Sequence, residues 1–498
     1  MNEATSKKKL ILNTLIYSLS GILLKCFSFF LIPLYTAFLT TEDYGVTSVS
    51  QSFVTTFSFI VSFSLFSAVL RFYVDYKDDE LKLKRFYGSI VVFILASSLI
   101  MIFFTYIFRD IMLRCMFPGV HDYTFLYISV VTMMFACQQE VYINILKSQQ
   151  NAKKTSILSI CSFFTTVAFN ILFVVVLKMG AKGSLIAVLI NNIIYTVYFW
   201  IEFVKYKKII LCIDIKLLKD ALKYSIPIIP HNLSTNIALF ISKILIGGNA
   251  SLASVGIYSV ASQFGNIADT VQAYVDTAYG PWLYENLKSG EKGYKKNIHS
   301  MVKLIINILG LFFIGISLFA QEYILIFVHS SYADAWKYVP FIVMTFVIKT
   351  AYYFYVEILF YYKEASRRLF IATLSSSLIN LVLSYLLIPK YDVYGSIIAD
   401  IIAMVLRVAI VIYFSRKYDD VGLKIIDFVK NAIMVMSFVF IGLSLSYFVF
   451  GNKLSFINFV FKCVVIICYM GYVFISNKNQ ILPYVKKIKK RIIKKVET

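Results

Sequence analysis

The sequence predicts an all-α integral membrane protein of about fourteen transmembrane helices with both termini cytoplasmic, and three observations carry that prediction. Fourteen apolar stretches run along the 498 residues, each of about 20 residues, the length one helical crossing of a bilayer core requires. The gaps between them alternate between basic and nearly uncharged. The chain also repeats itself at an offset of about 210 residues.

In order, the first crossing covers 12–34. It follows Lys7, Lys8 and Lys9, carries Lys25 near its middle and has Pro33 near its outer end. No small-residue cleavage site follows, so it reads as a membrane helix and not as a removed signal. The next five are 46–70, 87–108, 123–145, 156–178 and 184–203. The seventh, 224–246, opens on Pro227 and Pro230 and bears Asn232, Asn236 and Lys243. The eighth, 254–280, carries a polar stripe, and 300–327, 337–360, 369–388, 393–414, 428–450 and 456–476 complete the set. With basic residues at a helix edge counted in the adjoining gap, the odd-numbered gaps hold 36 of the 49 Lys and Arg and the even-numbered ones 7. Positively charged loops stay cytoplasmic, so an even number of crossings puts both ends inside. Trp200, Trp282 and Trp336 fall at predicted helix ends, where interfacial anchors belong.

Composition excludes a soluble globular class: 59% of residues are hydrophobic and 15% charged. The net charge of +22 does not point to nucleic acid, because the basic residues sit in short loops flanking crossings. The run at 486–495 reads as a positive-inside anchor that can meet anionic headgroups. Seven scattered cysteines without a CxxC, and four isolated histidines, support neither a disulfide framework nor a metal site. No gap is long enough for a soluble domain.

The repeat aligns Gly45-Val46-Thr47-Ser48-Val49 and Phe53 with Gly256-Ile257-Tyr258-Ser259-Val260 and Phe264. It also aligns Lys153-Lys154 with Arg367-Arg368, Asn170 with Asn380, and Gly183-Ser184-Leu185-Ile186-Ala187 with Gly395-Ser396-Ile397-Ile398-Ala399. The expected organisation is an N-lobe at 1–203, an interlobe cytoplasmic loop at 204–223, a C-lobe at 224–414, two further helices at 415–476 and a basic tail at 477–498. Six crossings per half is even, so the halves share one orientation. Parallel repeats about an axis along the membrane normal are a transporter plan, with the substrate path between them.

Ionisable groups deep in a crossing cost roughly 2.5–3.5 kcal/mol each on insertion scales and face a cavity or a partner. Lys25 lies in crossing one. Lys243, Asn232 and Asn236 share a face of crossing seven. Ser259, Ser262, Asn266, Asp269 and Asp276 stripe crossing eight. Lys349, Tyr353 and Glu357 stack on crossing ten, and Asp400 and Arg407 share a face of crossing twelve. Interhelical partners that merely hold the bundle together explain any one of these. Their distribution over both halves points to a hydrated central cavity. Glu140, Glu202, Lys303 and Lys462 lie near helix ends and read as snorkelling side chains. The prolines of crossings one and seven mark either moving breaks or tolerated kinks.

The opening, Asn13-Thr14-Leu15-Ile16-Tyr17-Ser18, then Phe30-Leu31-Ile32-Pro33-Leu34-Tyr35-Thr36 and Leu39-Thr40-Thr41-Glu42-Asp43-Tyr44-Gly45, resembles the start of bacterial polysaccharide-unit flippases of the Wzx type. Those are fourteen-helix members of the multidrug/oligosaccharidyl-lipid/polysaccharide exporter superfamily. The resemblance implies two six-helix lobes around a V-shaped cavity in the bacterial cytoplasmic (inner) membrane. It also implies export of an undecaprenyl-pyrophosphate-linked oligosaccharide to the outer leaflet for O-antigen, capsule or exopolysaccharide assembly. The partners it implies are that lipid-linked saccharide, membrane lipids and the polysaccharide polymerase or chain-length machinery.

Such a cargo carries phosphates, hydroxyls and an apolar tail. Lys25 and Lys243 are the expected phosphate-binding cations, with Lys349 and Arg407 behind them. Tyr17, Tyr353, Asn232 and Asn236 suit the hydroxyls. Asp269 and Asp276, with Glu357 and Asp400, are the expected sites for a coupling cation, a transported proton or sodium ion; no other cofactor is expected. Two same-fold rivals stay open, a cation-coupled multidrug exporter and a lipid II flippase. An embedded glycosyltransferase or polymerase is disfavoured, because the exterior gaps are short and Asp110, His121, Asp122 and His329 stand isolated in them.

Overall fold

The computed structural model describes residues 3–289, 293–362, 368–451 and 454–478. The basic run at 486–495 and Arg367 of the repeat lie outside them. Among the described residues the chain is helical and contains no strand.

Crossing one is α1 (Glu3–Phe30) continued by α2 (Ile32–Phe38), with Pro33 in the first turn of α2, where a missing N–H costs nothing. Crossing two is bent: α3 (Thr41–Val61) and α4 (Leu65–Tyr76) meet at 47°. Then come α5 (Glu80–Ile107), α6 (Arg109–Met116), α7 (Thr124–Ser148) and α8 (Ala152–Asn170), the last prolonged by a π-helical turn at Ile171–Val176. They are followed by α9 (Gly180–Lys205), α10 (Ile215–Ser225), α11 (Ile229–Asn249), α12 (Leu252–Ser289), α13 (Tyr294–Phe327) and α14 (Ala335–Tyr361). The last three are α15 (Leu369–Tyr418), α16 (Ile425–Phe450) and α17 (Phe456–Ser476).

Among the described residues ten helices are long and apolar enough to cross a bilayer, and the bent α3–α4 pair makes an eleventh. The 50-residue α15 is two helices run together: Asp392 has φ 48° and ψ −129°, and the kink falls in the expected gap between crossings eleven and twelve. The polar residues of α11 and α12 keep those two below the others in apolar character, yet they occupy the positions of crossings seven and eight. Each of the fourteen stretches therefore has a helical counterpart. The protein is a multi-pass membrane protein. Two helices lie where loops were expected, α6 within 109–122 and the amphipathic α10 from the 204–223 gap to just past its end. Pro33 breaks crossing one near its end, whereas Pro227 and Pro230 bracket the start of α11. The two breaks do not occupy matching places in the repeat.

The described residues divide into two compact units. The first runs up to Ser259 and includes Ser377–Ser396; the second comprises Val260–Ser376 and the residues from Ile397 onward. The first unit thus takes in α11 and the start of α12.

Inside the first unit the motif Leu39–Gly45 has a structural account. Thr40 caps α3, its hydroxyl accepting from the Asp43 N–H while the Asp43 carboxylate accepts from the Thr40 N–H, a reciprocal capping box. Asp43 also accepts the Ala181 N–H at 3.0 Å, tying the start of α3 to the start of α9. Gly45 then lets α3 touch α12: a Cβ there would lie 1.9 Å from the Leu252 carbonyl oxygen. The repeat partner Gly256 does the same in return, its Cβ position lying 2.0 Å from the Thr41 carbonyl oxygen. Ser48 and Ser259, 211 positions apart, share a hydrogen bond of 2.6 Å. Equivalent residues of the two repeats therefore meet in a reciprocal contact, and only small side chains permit that approach.

Candidate functional site

Each unit holds its own polar cluster within the membrane-spanning helices. In the first, α11 lies along α3 through a polar seam. Lys243 donates to Ser48 Oγ at 2.8 Å and to Ser52 Oγ at 2.7 Å, with the Ser48 carbonyl at 3.4 Å. Two to three turns away, Thr56 Oγ1 donates to the Asn236 carbonyl at 3.2 Å, and Asn232 Nδ2 reaches Ser64 Oγ at 3.4 Å. Asn236 Nδ2 donates to the Asn232 carbonyl at 3.1 Å. Lys243, Asn236 and Asn232 do share one face, as helical spacing requires, and that face meets the hydroxyl face of α3. The partners of the Lys243 ammonium are neutral oxygens, so its charge is solvated by the protein without being cancelled.

Lys25 stands exposed on α1, and the structure does not bring it into this seam. The Tyr17 hydroxyl is buried without a hydrogen-bond partner among the described residues. α1 is held to α8 by the Ser20–Ser156 hydroxyl pair at 2.9 Å and by stacking of Phe27 on Phe163.

The second unit gathers three of the four acidic candidates, Asp269, Asp276 and Glu357, on α12 and α14, whereas Asp400 lies on α15 with Arg407. Lys349 pairs with Asp269 Oδ1 at 2.5 Å, and the Tyr353 hydroxyl donates to the same oxygen at 3.0 Å. Two residues assigned to different roles, phosphate binding and cation coupling, are therefore each other's partners. Glu357, two turns further along α14, accepts from the Tyr284 hydroxyl. Its carboxylate packs on Gly280, where a Cβ would lie 2.8 Å from Oε2. Gln272 Nε2 donates to the Phe346 carbonyl and to Thr350 Oγ1, both at 2.7 Å. Its Oε1 and Asp276 Oδ1 are buried without partners among the described residues, and both residues line one small cavity with Thr350 and Tyr353. Two buried acceptor oxygens on neighbouring turns of α12 thus lack a donor among the described residues. Arg407 Nε donates to Ser376 Oγ at 2.8 Å, joining the two ends of α15's second-unit segments.

Two snorkelling assignments need correction. Lys462 is fully buried, its ammonium 2.7 Å from Glu322 Oε1 and 2.8 Å from Gln321 Oε1. Glu202 is 5% exposed and holds Lys154, Lys208 and the Tyr142 hydroxyl. In both cases a partner on a neighbouring element makes burial cheaper than reaching for water. Glu140, by contrast, is exposed and binds Asn144. Glu322 escaped the sequence reading altogether. One signal was available: it lies five residues from one end of α13 and Lys462 six from an end of α17, about 7–9 Å along each axis.

Two helical units with buried polar clusters in membrane-spanning helices define a transporter-type membrane fold. That fold is similar to the lipid II flippase MurJ in an inward closed conformation, with TM-score 0.69 and 15% identity over 93% of this chain and 99% of that one. It is also similar to an inward-facing multidrug resistance MATE family transporter of the MOP superfamily, with TM-score 0.54 and 15% identity over 77% of this chain and 92% of that one. The outward-facing form of such a transporter aligns with TM-score 0.52 over 82% and 95%.

The model of the family described as polysaccharide biosynthesis protein matches residues 10–287, more than half of the chain, and the chain belongs to that family. It is also 21% identical over 379 residues to an uncharacterized membrane protein of Haemophilus influenzae, covering 74% of this chain and 88% of that protein.

Proposed function

We propose that this protein is a flippase and not an enzyme, moving an undecaprenyl-pyrophosphate-linked oligosaccharide from the cytoplasmic to the outer leaflet of a bacterial inner membrane. The observation that carries the reading is Lys243. An ammonium whose partners among the described residues are hydroxyls and a carbonyl has no carboxylate to give up when a phosphate arrives, and the hydroxyl-rich seam around it offers groups that sugar hydroxyls can exchange with. A lysine kept within a membrane helix without a cancelling carboxylate suits anionic cargo better than the cationic drugs of a multidrug exporter. Membership of a polysaccharide biosynthesis family and the fold shared with a lipid II flippase support a lipid-linked substrate.

Transport in one direction requires an energy source. In this reading Asp276, with Gln272 Oε1 beside it, and the Asp269–Lys349 pair take up or exchange a cation as the protein alternates between states. Glu357 and Asp400 belong to the same proposed set, and Lys25, exposed on α1 outside the seam, is the proposed second cation for the phosphates along their path. The termini are cytoplasmic, and the exported unit passes to a polymerase outside.

The test is leaflet sidedness of lipid-linked saccharide in cells lacking the protein, scored with an outside-only glycosidase. Protected units accumulating on the inner leaflet, rescued by the wild type and not by Lys243→Met, support the flippase. Normal outer-leaflet units with failed chain growth point to an enzyme. No saccharide phenotype with lost resistance to toxic cations points to a drug exporter.

A further inference from the structure

The segment between Lys205 and Ile215 is not a free linker. Gly88 in α5 lacks the Cβ that would sit 1.8 Å from the Ile210 carbonyl oxygen, so this strand of backbone lies directly on the helix. The Ile210 N–H donates to the Lys84 carbonyl at 3.2 Å, and the Asp214 N–H donates to Ser89 Oγ at 2.9 Å. Asp214 in turn caps α10, accepting from the Lys216 and Leu217 N–H groups at 3.1 Å. The strap is thus pinned at its middle and at its C-terminal end.

Between strap, the start of α5 and the end of α9 lies a cavity of about 630 Å³. Both helices cross the membrane, and these ends lie on the side where the basic loops gather, so the cavity sits at a membrane surface. Its apolar walls include Leu81, Val204 and Leu211, each more than half exposed. Water is a poor solvent for such walls, and acyl or glycerol carbon is a good one. Two ammonium groups, Lys84 and Lys207, and one carboxylate, Glu80, border it, so the charge at its rim is net positive. Lys207 ends α9 in the left-handed region, φ 47°, a position usually given to glycine. Among the described residues Lys84 pairs with Glu80 at 2.5 Å, with Lys84 24% and Glu80 79% exposed. A pair four residues apart whose carboxylate stands in solvent holds its lysine weakly, so Lys84 can turn toward a stronger acceptor.

We propose that this cavity is a binding site for one anionic phospholipid of the adjoining leaflet. Its phosphate lies between Lys84 and Lys207, and its glycerol and upper acyl carbons lie on Leu81, Val204 and Leu211. Basic pockets between transmembrane helices hold anionic headgroups in this way. The lipid completes the wall of the strap that joins the two repeats, so its occupancy sets how firmly that connection is held to α5. None of the residues belongs to the polar seam or the acidic cluster, and the proposal stands independently of what the protein transports.

The test uses the purified full-length chain in detergent, titrated with phosphatidylglycerol or phosphatidylcholine of identical acyl chains, with retained lipid counted by native mass spectrometry. The wild type is expected to favour phosphatidylglycerol about tenfold, equivalent to about 1.4 kcal/mol. The pair Lys84→Gln with Lys207→Gln brings the ratio to within about twofold, while Lys84→Arg with Lys207→Arg preserves it. Gly88→Ala, which displaces the strap and leaves both charges, loses it too. Equal retention of the two lipids by the wild type overturns the proposal, as does full preference in the glutamine pair. Displacement of the lipid by millimolar inorganic phosphate also overturns it, because the site would then select a free anion.

Discussion

Replacing Glu322 by Gln leaves the Lys462 ammonium in a site with no access to water. The pair is held at 2.7 Å, with Lys462 at 0% and Glu322 at 11% side-chain exposure. Removing one partner of a buried pair costs about 3–5 kcal/mol, because the surviving charge stays desolvated. Gln321 Oε1, at 2.8 Å, still solvates the ammonium and places the expected cost toward the lower end. Taking an unfolding entropy of about 2.1 cal/mol/K per residue, a chain of 498 residues has roughly 1 kcal/mol/K, so the shift is about 3 °C in Tm. Helices that persist in detergent reduce the entropy and enlarge the shift. The assay is thermal unfolding of detergent-purified protein by intrinsic fluorescence. Glu322→Gln and Lys462→Met are each expected to lower Tm by that amount, and the double variant with Glu322→Leu to recover most of it, because a buried pair exchanged for apolar residues is often neutral. Single variants within about 1 °C of wild type would refute the argument, as would a double variant that shows the sum of the two losses.

Asp269→Asn strips Lys349 of its carboxylate and is expected to cut saccharide export at least tenfold while the protein still reaches the membrane; export unchanged across pH-gradient and membrane-potential conditions removes Asp269 from coupling. Gly45→Ala and Gly256→Ala each force α3 and α12 apart, at about 1–3 kcal/mol. Because one separation relieves both clashes, the double variant should cost clearly less than the sum, and additive losses in Tm would count against the reciprocal contact. Asp122, outside the spans, is pulled down to about 2, first by the Thr124 hydroxyl and then by Lys182 at 2.9 Å. A depressed carboxyl adds stability above its ordinary value near 3.8 and loses it as pH falls through about 2. The Tm gap between wild type and Asp122→Asn should therefore be open at pH 6 and closing toward pH 2, and it should be small, because the pair is largely exposed.

Much of the candidate site was legible because a helix's period is fixed. Knowing only that α11 is helical places Lys243, Asn236 and Asn232 on one stripe, and the structure keeps them there. The repeat was legible for a similar reason, and Gly45 with Gly256 and Ser48 with Ser259 turn out to meet one another. Lys349 was recognisable as a residue that needs a partner, but not as the partner of Asp269. Glu202 and Lys462 were misread because nearness to a helix end resembles access to water only while the neighbouring helix is unknown.

Sequence by itself determined the class of protein, the run of apolar helices, the alternation of basic and uncharged loops and the helix face that Lys243, Asn236 and Asn232 share. Those depend on local quantities: the length of an apolar stretch, the charge of a loop and the 3.6-residue turn. Tertiary structure decided which face meets which. Rotation and height of one helix against another are set by packing across hundreds of residues, and an ångström or two decides whether Lys349 finds Asp269 or whether Lys462 is buried on Glu322 or drawn out to the surface.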